Sequence, residues 1–157
     1  MKKTLIFLSF LISSIGLAQE YKTGDSELDA SLKKVQTEAE KDLASFKKSI
    51  ADKYHVLTEK VENCFKAGMN AADAVMAFEI ASITKKPIDQ VIVVYQTNKT
   101  KGWGAMAKEL GIKPGSAEFH ALKNNSKSTT STTLSTNPGK GKSKKNGNNH
   151  GKSQSHH

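Results

Sequence analysis

DSELDASLKKVQTEAEKDLASFKKSIADKY, residues 25–54, decides the fold class. Its apolar residues are Leu28, Leu32, Val35, Ala39, Leu43, Phe46, Ile50 and Tyr54. Their spacings run 4, 3, 4, 4, 3, 4, 4, an eleven-residue repeat. That repeat is about 3.67 residues per turn, so the stripe stays on one face of a nearly straight helix. Asp25 or Ser26 can cap its start, and Asp29 places an acid in the first turn. Read as one element, the segment is a long amphipathic helix on the order of 45 Å. It either packs on its own domain, the favoured reading, or pairs with a second copy as a coiled coil.

Further along, residues 56–122 read as a compact domain of four or five short helices. Thr58 can cap a segment through Lys66, with Val61 and Phe65 inward, and Gly68 suits a left-handed stop. Asn70 caps an Ala-rich helix running to about Ile83. Pro87 opens the next helix, whose Val91-Ile92-Val93-Val94-Tyr95 run has no second strand candidate to pair with and is read as buried helix. Trp103 to Leu110 follows, closed by Gly111, and Pro114-Gly115-Ser116 starts a last short helix to about Leu122. The fold class is all-α.

Two extensions flank this body. Residues 1–18 have the anatomy of a secretory signal: Lys2 and Lys3, an apolar stretch over 4–17, then Gly16 and Ala18 before Gln19. The stretch is short for a membrane span, and no Cys follows it to carry a lipid. The expected location is therefore periplasmic or extracellular. Residues 123–157 are Ser, Thr, Asn, Gly and Lys with almost nothing to bury, and they read as a disordered tail.

Charge divides along the same boundaries. The chain of 157 residues carries a net +9, with 24 basic residues that are all Lys. Residues 1–18 contribute +2; residues 19–122 hold 15 Lys against 15 acids; residues 123–157 hold seven Lys and no acid. A neutral body thus carries a basic tail, which fits weak association with polyanions through Lys140, Lys142, Lys144 and Lys145. Without Arg there are no bidentate phosphate clamps. With one Cys there is neither an internal disulfide nor a Cys-based zinc site. Hydrophobic residues at 36% argue against a large enzyme with a deep pocket.

Candidate chemistry is sparse. Trp103 between Gly102 and Gly104 reads either as an exposed ligand platform or as a core indole. Cys64 with His120 is a remote nucleophile–base pair; a buried, inert thiol is the better reading. Gly139-Lys140-Gly141-Lys142-Ser143 mimics a phosphate loop but has Thr136 where the upstream Gly belongs. His150, His156 and His157 lack a fixed geometry for metal, and no cofactor is expected. Gly102 to Ile112 resembles the first helix and turn of a helix-turn-helix. The would-be reading helix over 116–122 is short and carries Glu118, with no Arg and no amide before Asn124, so specific DNA reading is not expected.

The longer run from about Val56 through Gly102-Trp103-Gly104 to Ile112-Lys113-Pro114-Gly115-Ser116 and Phe119-His120-Ala121-Leu122 resembles a group of small exported bacterial helical proteins of uncharacterised function. The resemblance covers under half the chain. It implies a helical exported domain and supplies no activity or site. The expectation is an exported, non-enzymatic binding or structural protein that engages a protein partner or itself. The alternatives are a nucleic-acid binder and, behind it, a Cys-dependent enzyme.

Overall fold

Ten consecutive buried residues, Ala71 to Ile80, form the centre of the molecule. A helix apolar on every side has no solvent face and belongs inside a bundle. The structure, a computed structural model, describes residue 21 and residues 23–135. Among them are seven helices and no strand: α1 Ser26–Ala39, α2 Leu43–Tyr54, α3 Thr58–Lys66, α4 Ala71–Thr84, α5 Ile88–Asn98, α6 Trp103–Glu109 and α7 Ala117–Ser135. A 3-10 turn, Lys99–Lys101, joins α5 to α6. Helices α1, α2, α3, α5 and α7 all pack against α4. The all-α reading stands; Val91 to Tyr95 are helical as expected, but the run is not buried throughout, since Val91 and Tyr95 face the core and Val93 is 59% exposed.

The start of α4 is over-determined. Asn70 Oδ1 accepts from the Asp73 amide at 2.9 Å, and Asp73 Oδ2 accepts from the Asn70 amide at 3.2 Å. This reciprocal capping box satisfies two of the helix's orphan donors. A third, the Ala71 amide, donates to Gln36 Oε1 of α1 at 2.9 Å. The first helix is thereby tied to the central one.

Residues 25–54 are not one long helix. The chain leaves helical geometry after Ala39 and restarts at Leu43. Asp42 causes the restart: its Oδ1 accepts from the Ser45 amide at 3.0 Å and its Oδ2 from the Ser45 hydroxyl at 2.6 Å. Those bonds, the hydroxyl's foremost, hold the Asp42 carboxyl below its ordinary range. The apolar stripe still works on both sides of the break. Leu28, Leu32, Val35 and Ala39 are buried on α1, and Phe46 and Ile50 on α2. Each large aliphatic so buried stabilises the fold by about 1.5–3 kcal/mol. The Phe46 ring meets Phe65 edge-on at 6.3 Å, and Tyr54 stacks on Phe78 at 5.2 Å. The stripe faces the chain's own core.

The last helix does not stop near Leu122. It continues to Ser135, and Ser126, Thr129 and Thr130 are buried. The side chains that continue it are small hydroxyls, which an apolar pattern does not register. Its N-terminus follows a tight turn in which Gly111 (φ 107°) and Gly115 (φ 77°) take backbone conformations closed to most side chains. Ser116 Oγ then accepts from the Phe119 amide at 3.2 Å. Lys123 and Lys127 clasp the start of α1: Lys123 Nζ lies 2.7 Å and Lys127 Nζ 3.4 Å from the Asp25 carboxylate, and Lys127 reaches Glu27 at 2.8 Å. The Lys123 ammonium, followed by the Leu28 amide, holds the Asp25 carboxyl well below the usual carboxylate range.

The segment read as a signal peptide and the lysines at 140, 142, 144 and 145 lie outside the described residues. No helix among the described residues is long and apolar enough to cross a membrane.

Candidate functional site

Two acids interrupt the apolar run of α4, and both are buried: Asp73 at 1% exposure and Glu79 at 2%. A buried carboxylate persists only where donors satisfy it. Asp73 Oδ1 accepts from the Trp103 indole Nε1 at 2.8 Å, and Oδ2 from the Tyr95 hydroxyl at 2.9 Å. The same Tyr95 oxygen lies 3.2 Å from the Gly68 carbonyl, so this acid binds α4 to α5, α6 and the turn after α3. The Trp103 and Tyr95 rings pack with centroids 5.6 Å apart. The Tyr21 hydroxyl nearby is pushed up to about 12, first by burial and then by the Asp73 charge.

Glu79 does the same work on the other side of α4. Its Oε1 accepts from the Tyr54 hydroxyl at 2.6 Å and from the Thr129 hydroxyl, with the Lys53 ammonium at 3.8 Å. Burial, and after it the Glu79 charge, raise the Tyr54 hydroxyl well above its ordinary value. Helices α2, α4 and α7 therefore meet on one oxygen. Among the described residues no buried side-chain nitrogen or oxygen lacks a partner.

Lys53 also lines an open groove of about 520 Å³ between α2 and the second half of α7. Ser45, Lys48, Ser49, Asp52 and Lys53 form one face of α2, at the i, i+3, i+4 spacing that puts residues side by side. Thr132 and Thr133 form the opposite wall. Lys48 and Asp52 pair at 2.8 Å on the rim, both well exposed, so that pair adds little stability. The groove offers hydroxyls and aliphatic lysine stems. A second void, beneath Trp103 and Leu122, measures about 10 Å³, room for at most one water.

The residues singled out in the sequence fall differently. Trp103 is 4% exposed, with its indole N–H committed to Asp73, so it is a core residue and presents no platform. Gly102 is needed for its backbone (φ 79°), whereas a Cβ at Gly104 would meet open space. Cys64 is buried, and its thiol bonds the Lys60 carbonyl at 3.6 Å. Burial, then the Asp89 charge, push that thiol up to about 12. The thiolate a nucleophile needs is thereby suppressed. His120 is exposed on α7 beside Phe119 and does not bond the sulfur. Among the described residues no cluster of His, Cys, Asp or Glu has the makings of a metal site.

Sequence reasoning missed both buried acids. The signal was present: each is a lone carboxylate inside an Ala, Val, Met and Phe run, a position where only a satisfied acid survives. Compared with known families, with curated proteins and with solved structures, the chain matches none.

Proposed function

We propose that the chain is an exported, non-enzymatic binding protein of the cell envelope. Its helical body meets a protein partner or a second copy, and the lysine-rich segment after α7 holds it to anionic polymers. The observation that carries this reading is the distribution of charge. Of the seven lysines after residue 122, Lys123 and Lys127 are engaged by Asp25 and Glu27. The other five, Lys140, Lys142, Lys144, Lys145 and Lys152, lie in a stretch of 22 residues without an acid. Five lysines in a stretch without acids release counterions when they meet a polyanion, and attachment then weakens steeply with salt. Export is supported by the anatomy of residues 1–18 and by the resemblance to small exported helical proteins.

Gene regulation through a reading helix fits less well. Along α7, Ser126, Thr129 and Thr130 face inward, and Lys123 and Lys127 are tied to α1. What the helix leaves outside is led by Glu118, His120, Asn124 and Asn125, with no Arg to anchor a phosphate.

Binding of the chain from Gln19 onward to long-chain polyphosphate, measured across a salt series, tests the reading. The affinity is expected to fall with a log–log slope of roughly −3.5 to −4.5, the range for five lysine contacts. Replacing those five lysines with Gln in the full chain is expected to abolish binding and the slope together. Undiminished binding by the five-Gln chain contradicts the reading.

A further inference from the structure

We infer that residues 126–135 of α7 form a strap that opens as a unit from its seat on α4 while the other helices stay folded, with Asp25 as its catch. This goes beyond the proposed function and does not depend on it. Three observations carry it.

The first is how the segment is held. Among the described side chains of α7 the last buried large apolar residue is Leu122; beyond it Ser126, Thr129 and Thr130 are the buried ones. Ser126 Oγ rests on Met76 Sδ at 3.4 Å, and the Thr129 hydroxyl on Glu79. Small hydroxyl groups bury little apolar surface, so the gain on docking is polar and local. Segments with few buried apolar contacts are the ones that open below the global unfolding free energy.

The second is intrinsic propensity. Residues 126–135 read SKSTTSTTLS, dominated by Ser and β-branched Thr, which are modest helix formers. The Thr130, Thr132 and Thr133 hydroxyls donate back to the carbonyls of Ser126, Ser128 and Thr129 at 2.8–3.0 Å. Such back-bonding slightly weakens a helix. Off its seat this stretch has no reason to stay helical.

The third is the pair of boundaries. On one side Thr132 and Thr133 border the open groove beside α2. On the other, Asp25 holds Lys123 just ahead of the segment and, with Glu27, Lys127 inside it, so the start of α1 fixes the segment's first turn. Opening the strap bares Met76 and the Glu79 carboxylate, an apolar surface with a single acid at its centre. Ions that compete for Lys123 and Lys127 favour the open state.

Hydrogen exchange on the full chain from Gln19 tests this. Amides of residues 127–133 are expected to exchange at least about tenfold faster than those of residues 75–80 in α4, as a group with one opening rate. Asp25→Asn removes the charge and keeps a good cap for the Leu28 amide. It is expected to speed residues 127–133 by about threefold to tenfold further and leave α4 unchanged, and Lys127→Gln is expected to act in the same direction. Exchange of 127–133 at the rate of α4 overturns the strap. So does a smooth gradient toward the C-terminal end that neither variant alters, which is ordinary end fraying.

Discussion

Asp73→Ala is expected to cost about 3–6 kcal/mol, the largest loss from any single change considered. The alanine removes the acceptor of the Trp103 indole N–H, the Tyr95 hydroxyl and the Asn70 amide at once. Each buried donor left without a partner costs about 1–3 kcal/mol, and the lost half of the capping box adds about 1 kcal/mol. A domain of this size has only about 5–15 kcal/mol in hand, so the variant is expected to be largely unfolded or nearly so. Asp73→Asn keeps one acceptor oxygen and should fall between. Denaturant unfolding followed by circular dichroism, with Trp103 fluorescence alongside, measures both. A loss under about 1 kcal/mol for the alanine would mean that Asp73 does not organise the junction of α4, α5 and α6.

The second large effect is at Glu79. Glu79→Ala takes the acceptor from Tyr54 and Thr129 and the counter-charge from Lys53. Removing one partner of a buried charged cluster costs about 3–5 kcal/mol where nothing can substitute. Here Lys53 is 32% exposed and lines the groove, so water can take over its ammonium. The expected loss is therefore about 2–4 kcal/mol, below that at Asp73. Glu79→Gln, which retains an acceptor oxygen, should lose about half as much. The discriminating observation is the order of the midpoints in denaturant: wild type, then Gln, then Ala. An alanine variant as stable as the parent contradicts the role given to Glu79.

Much of the body was legible because its signals are local. Asn70 ahead of the Ala-rich run, Gly68, Gly111 and Pro87 are punctuation that the backbone obeys wherever tertiary contacts put the helices. The break at Asp42 was not, because Leu43 continues the 4-3-4 spacing straight across it. The competing sign was Asp42 followed three residues later by Ser45, a cap whose bonds are made before any packing is known. Leu43 shows the consequence: it belongs to the stripe by spacing yet is 41% exposed. The second half of α7 was misread for a different reason. Its inward positions, Ser126, Thr129 and Thr130, bury hydroxyls against Met76 and Glu79, and a reading that counts only apolar residues finds no face there. Trp103 looked ambiguous between platform and core because the partner that settles it, Asp73, lies 30 residues away in sequence. A lone acid in an apolar helix and a lone indole between glycines are each other's explanation, visible only once α4 and α6 are side by side.

The buried acids also shape the functional reading. They are spent on holding helices together, and Cys64 is kept as a thiol, so the polar groups inside the body have structural work. That leaves the outer faces and the groove beside α2 as what the described body presents to other molecules. For the attachment proposed above, the compartment decides which partners are within reach. The measurement that tests the account most directly is the intact mass of the chain recovered separately from cytoplasm, periplasm and medium. The account predicts a chain beginning at Gln19, lighter by residues 1–18, outside the cytoplasm. A full-length chain confined to the cytoplasm would contradict export and the envelope partner with it.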